Sequence, residues 1–272
     1  MKVSQYRLGF IGFGHMAQVI YHAIDTAKLI PRSQMGFVRR DPGKSKKNEQ
    51  EFGITATSMK NLVETSDLLL FCVRPQQASL VLKDLAEIGV ESKLFLTVAA
   101  GLKLDFYQKY LGTQCEILRV MPNIASAVGE GMSVFSYGKN SSSEFRSTAH
   151  ILFSSMGQVL EIPEELMDIS CAVAGSCPGF VFRLIEAFAR AGEKQGLEYE
   201  KSLKMAAQSF AGAARLILHG NLPEILIQQI ATPNGTTEAG FKVMNECQID
   251  RHLQSVAEAS ARRSKELSEE IH

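Results

Sequence analysis

A chain of 272 residues with 45% hydrophobic and 21% charged side chains has the composition of a packed globular protein, long enough for one large domain or two ordinary ones. Lys+Arg and Asp+Glu each number 29, so no global field favours nucleic acid or an acidic membrane, and no apolar run reaches the roughly 18 residues of a membrane span. Cys72, Cys115, Cys171, Cys177 and Cys247 are an odd set without CxxC spacing, which points to free thiols in a reducing, cytoplasmic compartment and away from disulfides or zinc.

The amino-terminal segment is short in apolar residues and rich in glycine. It reads as a strand entering a turn, not as a signal peptide. Apolar runs predict strands at 7–11, 35–38, 68–73, 94–98, 117–121, 132–135 and 159–162. Helical patterns lie between them at 16–27, 59–65, 77–88 and 144–155, the last opened by the polar turn KNSSS at 139–143. This alternation over 1–165 predicts a mostly parallel, doubly wound α/β domain. After Pro163 strand signals fade and amphipathic helices are predicted at 180–195, 203–218, 223–230 and 253–267. In the second of these, the small and apolar positions 203, 206, 207, 210, 214 and 217 share one face. A helical half at 166–272 with apolar faces on most helices predicts burial against a partner subunit, a self-contained bundle being the alternative.

Residues 8–17, LGFIGFGHMA, place Gly12-x-Gly14-x-x-Ala17 after an apolar strand and at the opening of a helix. In a dinucleotide-binding βαβ unit, the first glycine makes the tight turn and the second lets a pyrophosphate approach the backbone. The small third residue lets helix and strand pack closely, and the helix N-terminus faces the phosphates. Gly12, Phe13, Gly14, His15, Met16 and Ala17 are therefore the first candidate cofactor contacts. The second strand ends in Arg39-Arg40-Asp41, and paired guanidinium groups suit a ribose 2′-phosphate, so NADP is favoured and NAD remains possible. The alternative is a solvated basic loop continuing through Lys44, Lys46 and Lys47. The next strands end in Val73-Arg74-Pro75 and Ala99-Ala100-Gly101, which suit a wall against ribose and nicotinamide, or are simply turns.

The motifs GFIGFGHMA, CVRPQ, TVAAG, LRVMPNIASAVGEGM, AVAGSCPGF and IATPNGTTEAGF, in this order over essentially the whole chain, resemble pyrroline-5-carboxylate reductase. The resemblance implies an N-terminal Rossmann domain followed by an all-α C-terminal dimerisation domain. It implies reduction of the cyclic imine 1-pyrroline-5-carboxylate to L-proline by NADPH or NADH, in a homodimer or a ring of dimers. The imine is then expected between the nicotinamide, bordered by Met121, Pro122 and Asn123, and two later motifs. The first, Ala174-Gly175-Ser176-Cys177-Pro178, is expected to be a tight turn opening the helix at Phe180, its N–H groups holding a carboxylate and Ser176 capping the helix. The second, Thr232-Pro233-Asn234-Gly235-Thr236-Thr237, is a turn at another helix start; its hydroxyl and N–H groups suit the carboxylate, and Thr237 is the candidate for the ring nitrogen. Asn234 tolerates positive φ there. Ordinary N-capping is the other reading of both motifs.

Hydride transfer to an iminium carbon needs proximity more than a strong acid or base, so neither a Ser-His-Asp nor a metal cluster is expected. The histidines at 15, 22, 150, 219, 252 and 272 are read as structural or exposed. Cys177 stands where the family has glycine. That leaves open a catalytically weakened NADP-binding paralogue with a regulatory role. A related imine or β-hydroxyacid reductase is the other alternative; the β-hydroxyacid enzymes need a lysine early in the second domain's first helix, and 177–191 contains none.

Overall fold

The computed structural model describes residues 3–270; Met1, Lys2, Ile271 and His272 lie outside the described residues. In chain order the first part forms β1 (Leu8–Ile11), α1 (His15–Thr26), β2 (Met35–Val38), α2 (Pro42–Phe52), β3 (Thr55–Ala56), α3 (Met59–Thr65) and β4 (Leu68–Phe71). It continues with α4 (Pro75–Ile88), β5 (Leu94–Thr97), α5 (Leu104–Leu111), β6 (Glu116–Met121), β7 (Gly131–Tyr137), α6 (Ser143–Ser154) and β8 (Gly157–Glu161). Each predicted strand is present, within two residues of its expected ends.

These strands form one sheet of order β3-β2-β1-β4-β5-β6-β7-β8, parallel throughout except where β7 runs antiparallel to β6. Alternate residues of each strand go to opposite layers, as the pleat requires. Leu8, Phe10, Leu68, Leu70, Leu96, Leu118 and Val120 pack with α1 and α6 on one side. Ile11, Leu69, Phe71, Phe95 and Ile117 pack with α3, α4 and α5 on the other. Both faces are covered, which is why the strands read as continuous apolar runs. The order reverses between β1 and β4, so the crevice at the carboxyl ends of these strands is the place for a ligand.

Three of the helices and strands named so far went unpredicted. The segment holding the basic residues 39–47 is largely a helix and not a loop: Asp41 caps α2 by accepting from the Lys44 amide at 3.0 Å, and Pro42 opens it. Only Asn48 and Phe52 of α2 are buried, so it carries almost no apolar stripe. The second is α5, and the third is β3, two residues at the sheet edge.

The remainder is helical: α7 (Met167–Ser170), a π-helical turn at Cys171–Ser176, α8 (Cys177–Lys194), α9 (Tyr199–Leu218), α10 (Pro223–Ile230), α11 (Thr236–Glu246) and α12 (Ile249–Glu269). The chain divides into two compact units. One runs to Ser176 and takes back the residues from Ala259 onward; the other is Cys177–Glu258. This division falls later than the 165/166 boundary read from composition. The reason lies in contacts within the first unit: Asp168 accepts from Ser264 Oγ at 2.7 Å, and the Gly101 backbone lies against Leu267 and Ser264. In the second unit, α8 and α9 meet through Phe188 and Phe210, whose rings stand edge to face at 5.9 Å.

The absence of a membrane-length apolar segment needs correction. The helical stretch Glu164–Lys194 is long and apolar enough to cross a membrane by length and composition, with a mean hydropathy of 1.4 over its most apolar window. Small residues and the π turn join runs that look short in the sequence. Val173, Phe182 and Phe188 on it are 63%, 58% and 63% exposed, a display of apolar surface that asks for a cover.

Candidate active site

The glycine loop follows from backbone geometry. Gly12 has φ +85°, and a Cβ there would come within 2.9 Å of the Cys72 carbonyl oxygen, so only glycine fits between β1 and β4. Gly14 is different. Its φ is −91°, open to any residue, and a Cβ there would meet nothing within 4 Å. The fold does not require glycine at 14, and the position leaves the backbone open to a group approaching from outside. Gly14 is also the N-cap of α1 and makes no side-chain cap, so the first amides of the helix at His15, Met16 and Ala17 are left for an anion. Ala17 is fully buried under the sheet, and His15 is exposed at the rim. These residues fit a dinucleotide pyrophosphate.

Phe13 contributes main chain only. Its ring is buried, stacked on Phe37 at 4.6 Å and edge-on to Phe10 and Phe52. Its carbonyl accepts from Arg39 Nη1 at 2.9 Å. Buried Asn48 completes this clamp: with its amide oxygen toward Arg39 (2.8 Å) and its nitrogen toward the Lys44 carbonyl (3.3 Å), both groups are satisfied. Arg39 therefore braces the loop, while Arg40 is exposed beside it. Both partners are near in the chain, Lys44 one helical turn earlier and Arg39 at the end of β2, yet no motif in the sequence marks Asn48.

The walls are the ends of β4, β5 and β6. Cys72 and Val98 continue the ladder, donating to the Ile11 and Phe71 carbonyls at 2.8 and 3.1 Å, so Val73-Arg74-Pro75 and Ala99-Ala100-Gly101 leave the sheet side by side. Gly101 has φ +77°. Burial alone pushes the Cys72 thiol well above its usual range. Beneath this edge lies an ion pair that sequence reasoning missed. Arg119 of β6, only 3% exposed, donates to Glu164 at 3.2 Å, and the same carboxylate oxygen accepts from the Leu104 amide at 2.7 Å. Glu164 thereby caps α5, whose own N-cap residue, Lys103, makes no side-chain cap.

Met121, Pro122 and Asn123 close the crevice and are buried. Asn123 accepts from the Ala125 amide at 3.1 Å and donates from Nδ2 to the Ala174 carbonyl at 3.0 Å. A Cβ on Gly175 would lie 3.3 Å from Met121 Sδ. The strand end and the 174–176 motif are thus in contact, but that motif is not the expected turn. Residues Cys171–Ser176 are π-helical and run on from α7, so their amides are spent within the helix and offer no N-terminal cradle for a carboxylate. Ser176 is not a cap either; its hydroxyl accepts from Ser260 Oγ at 3.3 Å.

In the second unit, Cys177 and Pro178 begin α8 and are partly exposed. The Thr232–Thr237 turn forms as expected. Gly235 donates to the Thr232 carbonyl at 2.9 Å, and a Cβ on it would strike Thr232 Oγ1 at 2.5 Å. Asn234 takes φ +59°, and its amide donates to Glu238 at 2.7 Å. Gly235 caps α11 without a side-chain bond, leaving the amides of Thr236 and Thr237 open. Thr232 and Thr236 are exposed and Thr237 is half-buried.

A cavity of about 640 Å³, lined by Gln108, Tyr137, Lys139 and Glu161 among others, lies toward the opposite end of β6, and no expected site residue lines it. Among the described residues, no group of three or more His, Cys, Asp or Glu side chains is placed to hold a metal.

Comparison with known proteins agrees with this layout. Residues 164–267 match the family model for pyrroline-5-carboxylate reductase dimerisation, and 7–101 match that for NADP oxidoreductase, coenzyme F420-dependent. Pyrroline-5-carboxylate reductase 1 of Bacillus spizizenii is 32% identical over 98% of this chain and 91% of its own length. Pyrroline-5-carboxylate reductase of Arabidopsis thaliana is 32% identical over 99% of this chain and 98% of its own. The crystal structure of Plasmodium falciparum pyrroline carboxylate reductase with NADP bound superposes with a TM-score of 0.88 at 26% identity, covering 97% of this chain and 99% of that one. The chain belongs to the pyrroline-5-carboxylate reductase family of NAD(P)H-dependent oxidoreductases.

Proposed function

We propose that this protein reduces 1-pyrroline-5-carboxylate to L-proline, using NADPH in preference to NADH. What carries the reading is that the family's motifs converge on one crevice: the Gly12–Gly14 loop, Val73–Pro75, the Ala99–Gly101 wall and Met121–Asn123 leave the carboxyl ends of β1, β4, β5 and β6, four successive strands of the sheet.

Bound NADPH supplies a hydride. The α1 amides and Gly14 hold the pyrophosphate, and Arg40, steadied by the Arg39 clamp, takes the 2′-phosphate. Val73-Arg74-Pro75, Ala99-Ala100-Gly101 and Met121-Pro122-Asn123 wall the ribose and nicotinamide. Gly175, Ser176, Cys177 and Pro178 line the imine from one motif; Thr232, Gly235 and Thr236 hold its carboxylate from the other. Thr237 hydrogen-bonds the ring nitrogen, its hydroxyl oxygen accepting from the iminium N–H. An iminium carbon is already electrophilic, so these residues act by orientation and by excluding water. Residues 1–165 serve the cofactor and 166–272 the substrate.

The apolar display on α8 to α12 is read as a subunit interface, not as lipid contact, and the assembly as a homodimer or a ring of dimers. Balanced charge and five free thiols fit a cytoplasmic enzyme that binds neither nucleic acid nor membrane.

The test is purified protein mixed with NADPH and the imine, followed by loss of nicotinamide absorbance and appearance of proline. Intact cofactor binding without turnover would replace this reading with that of a regulatory, NADP-binding paralogue, for which Cys177 is the distinguishing feature.

A further inference from the structure

We infer that Asn123 is a positioning residue that holds the π-helical turn against the nicotinamide side of the crevice, and so sets the approach of imine to hydride. The inference rests on the reductase reading. Its origin is a defect in the helix. Pro178 has no N–H to offer the Ala174 carbonyl one turn earlier. Asn123 Nδ2 supplies that donor from the end of β6, at 3.0 Å. The other half of the same amide accepts from Ala125 at 3.1 Å and fixes the short 3-10 turn Ile124–Val128, so the side chain cannot swing away. Gly175, the next residue, lies flush on Met121, where even a Cβ would be 3.3 Å from the sulfur. Asn123 is buried, so its amide is sheltered from bulk water, and losing the donor costs the Ala174 carbonyl a protein partner. One amide thus ties the strand end that borders the nicotinamide to the Gly175-Ser176 backbone. A π turn is a wider, weaker helix than its neighbours, and a segment of this kind needs an outside tie to keep one geometry.

Asn123→Asp separates the two halves of the amide: it keeps the acceptor for Ala125 and replaces the donor to Ala174 by an acceptor. Asn123→Ser keeps a short cap for Ala125 and loses the reach to Ala174. Both are expected to lower kcat on the order of 100-fold, the cost of a misplacement near 1 Å, while the NADPH dissociation constant stays within about 3-fold. Amide exchange by mass spectrometry should quicken at least about 10-fold in peptides spanning 171–180 and nowhere else. Adding Pro178→Ala to Asn123→Ser restores an intrahelical N–H and should recover the exchange protection lost by Asn123→Ser. Unchanged exchange at 171–180 in the single variants would overturn the inference, as would a double variant that exchanges there no more slowly than Asn123→Ser. Wild-type protein that fails to turn over the imine would overturn the reductase reading instead, and the exchange measurement would still decide the role of Asn123.

Discussion

Arg39 Nη1 donates to the main-chain carbonyl of Phe13 at 2.9 Å, tying the end of β2 to the glycine loop. The two arginines that look equivalent in sequence therefore differ in their surroundings, Arg39 bonded to the loop and Arg40 exposed. Arg39→Ala should loosen the loop and weaken NADPH and NADH by a similar factor, about 10-fold. Arg40→Ala should weaken NADPH by about 10-fold and NADH hardly at all, the loss of one charge-assisted contact to phosphate. Fluorescence titration of each variant with both cofactors checks this; a selective NADPH effect at Arg39 would reverse the assignment.

Gly12 and Gly14 should separate folding from binding. Gly12→Ala forces a side chain to φ +85° and toward the Cys72 carbonyl at 2.9 Å, and should cost about 1–3 kcal/mol of stability. Gly14→Ala meets nothing and should leave Tm within about 2 °C, yet raise the cofactor dissociation constant at least about 10-fold. Paired thermal melts and cofactor titrations give both numbers. A large Tm loss at Gly14 would mean that the fold, not the ligand, demands glycine there.

Glu164 should matter out of proportion to its place at the start of the short 3-10 turn Glu164–Leu166. It is Arg119's ion-pair partner and the cap for α5. Glu164→Ala leaves a buried guanidinium unpaired, and about 3 kcal/mol should be lost in urea titration. Arg119→Met, which removes the charge along with the need for a partner, should cost less.

Burial, with Glu91 and Glu116 adding to it, pushes the Cys115 thiol up to about 12. At pH 8 the group is therefore a protonated thiol, and iodoacetamide should leave it unlabelled in the folded protein and label it fully in denaturant. The raised value also means that Cys115 favours the fold below its ordinary pKa and that this contribution fades as pH rises toward 12. Labelling of native Cys115 at pH 8, read by mass spectrometry, would contradict its placement.

The α/β half was legible because both faces of its sheet are covered, which turns each strand into an apolar run such as Leu68–Phe71. The loop at Gly12 was legible because its chemistry is local, and so was Asn234 at φ +59°. α2 was not, because it buries only Asn48 and Phe52. The π turn was not legible either: small residues followed by Gly and Pro look like a loop, and only the contact of Asn123 with Ala174 shows what replaces the missing N–H. Arg119 with Glu164, and Ser176 with Ser260, join residues far apart in the chain, and no spacing rule announces such pairs.

The most direct test of the proposed reaction follows the hydride itself. The protein is incubated with 1-pyrroline-5-carboxylate and NADPH deuterated at the transferring position of the nicotinamide ring, and the product is examined by mass spectrometry and NMR. One deuterium per proline is expected, on the ring carbon that was double-bonded to nitrogen, with one NADPH consumed for each proline formed. NADPH that binds but is not consumed, or proline that carries no deuterium at that carbon, would contradict it.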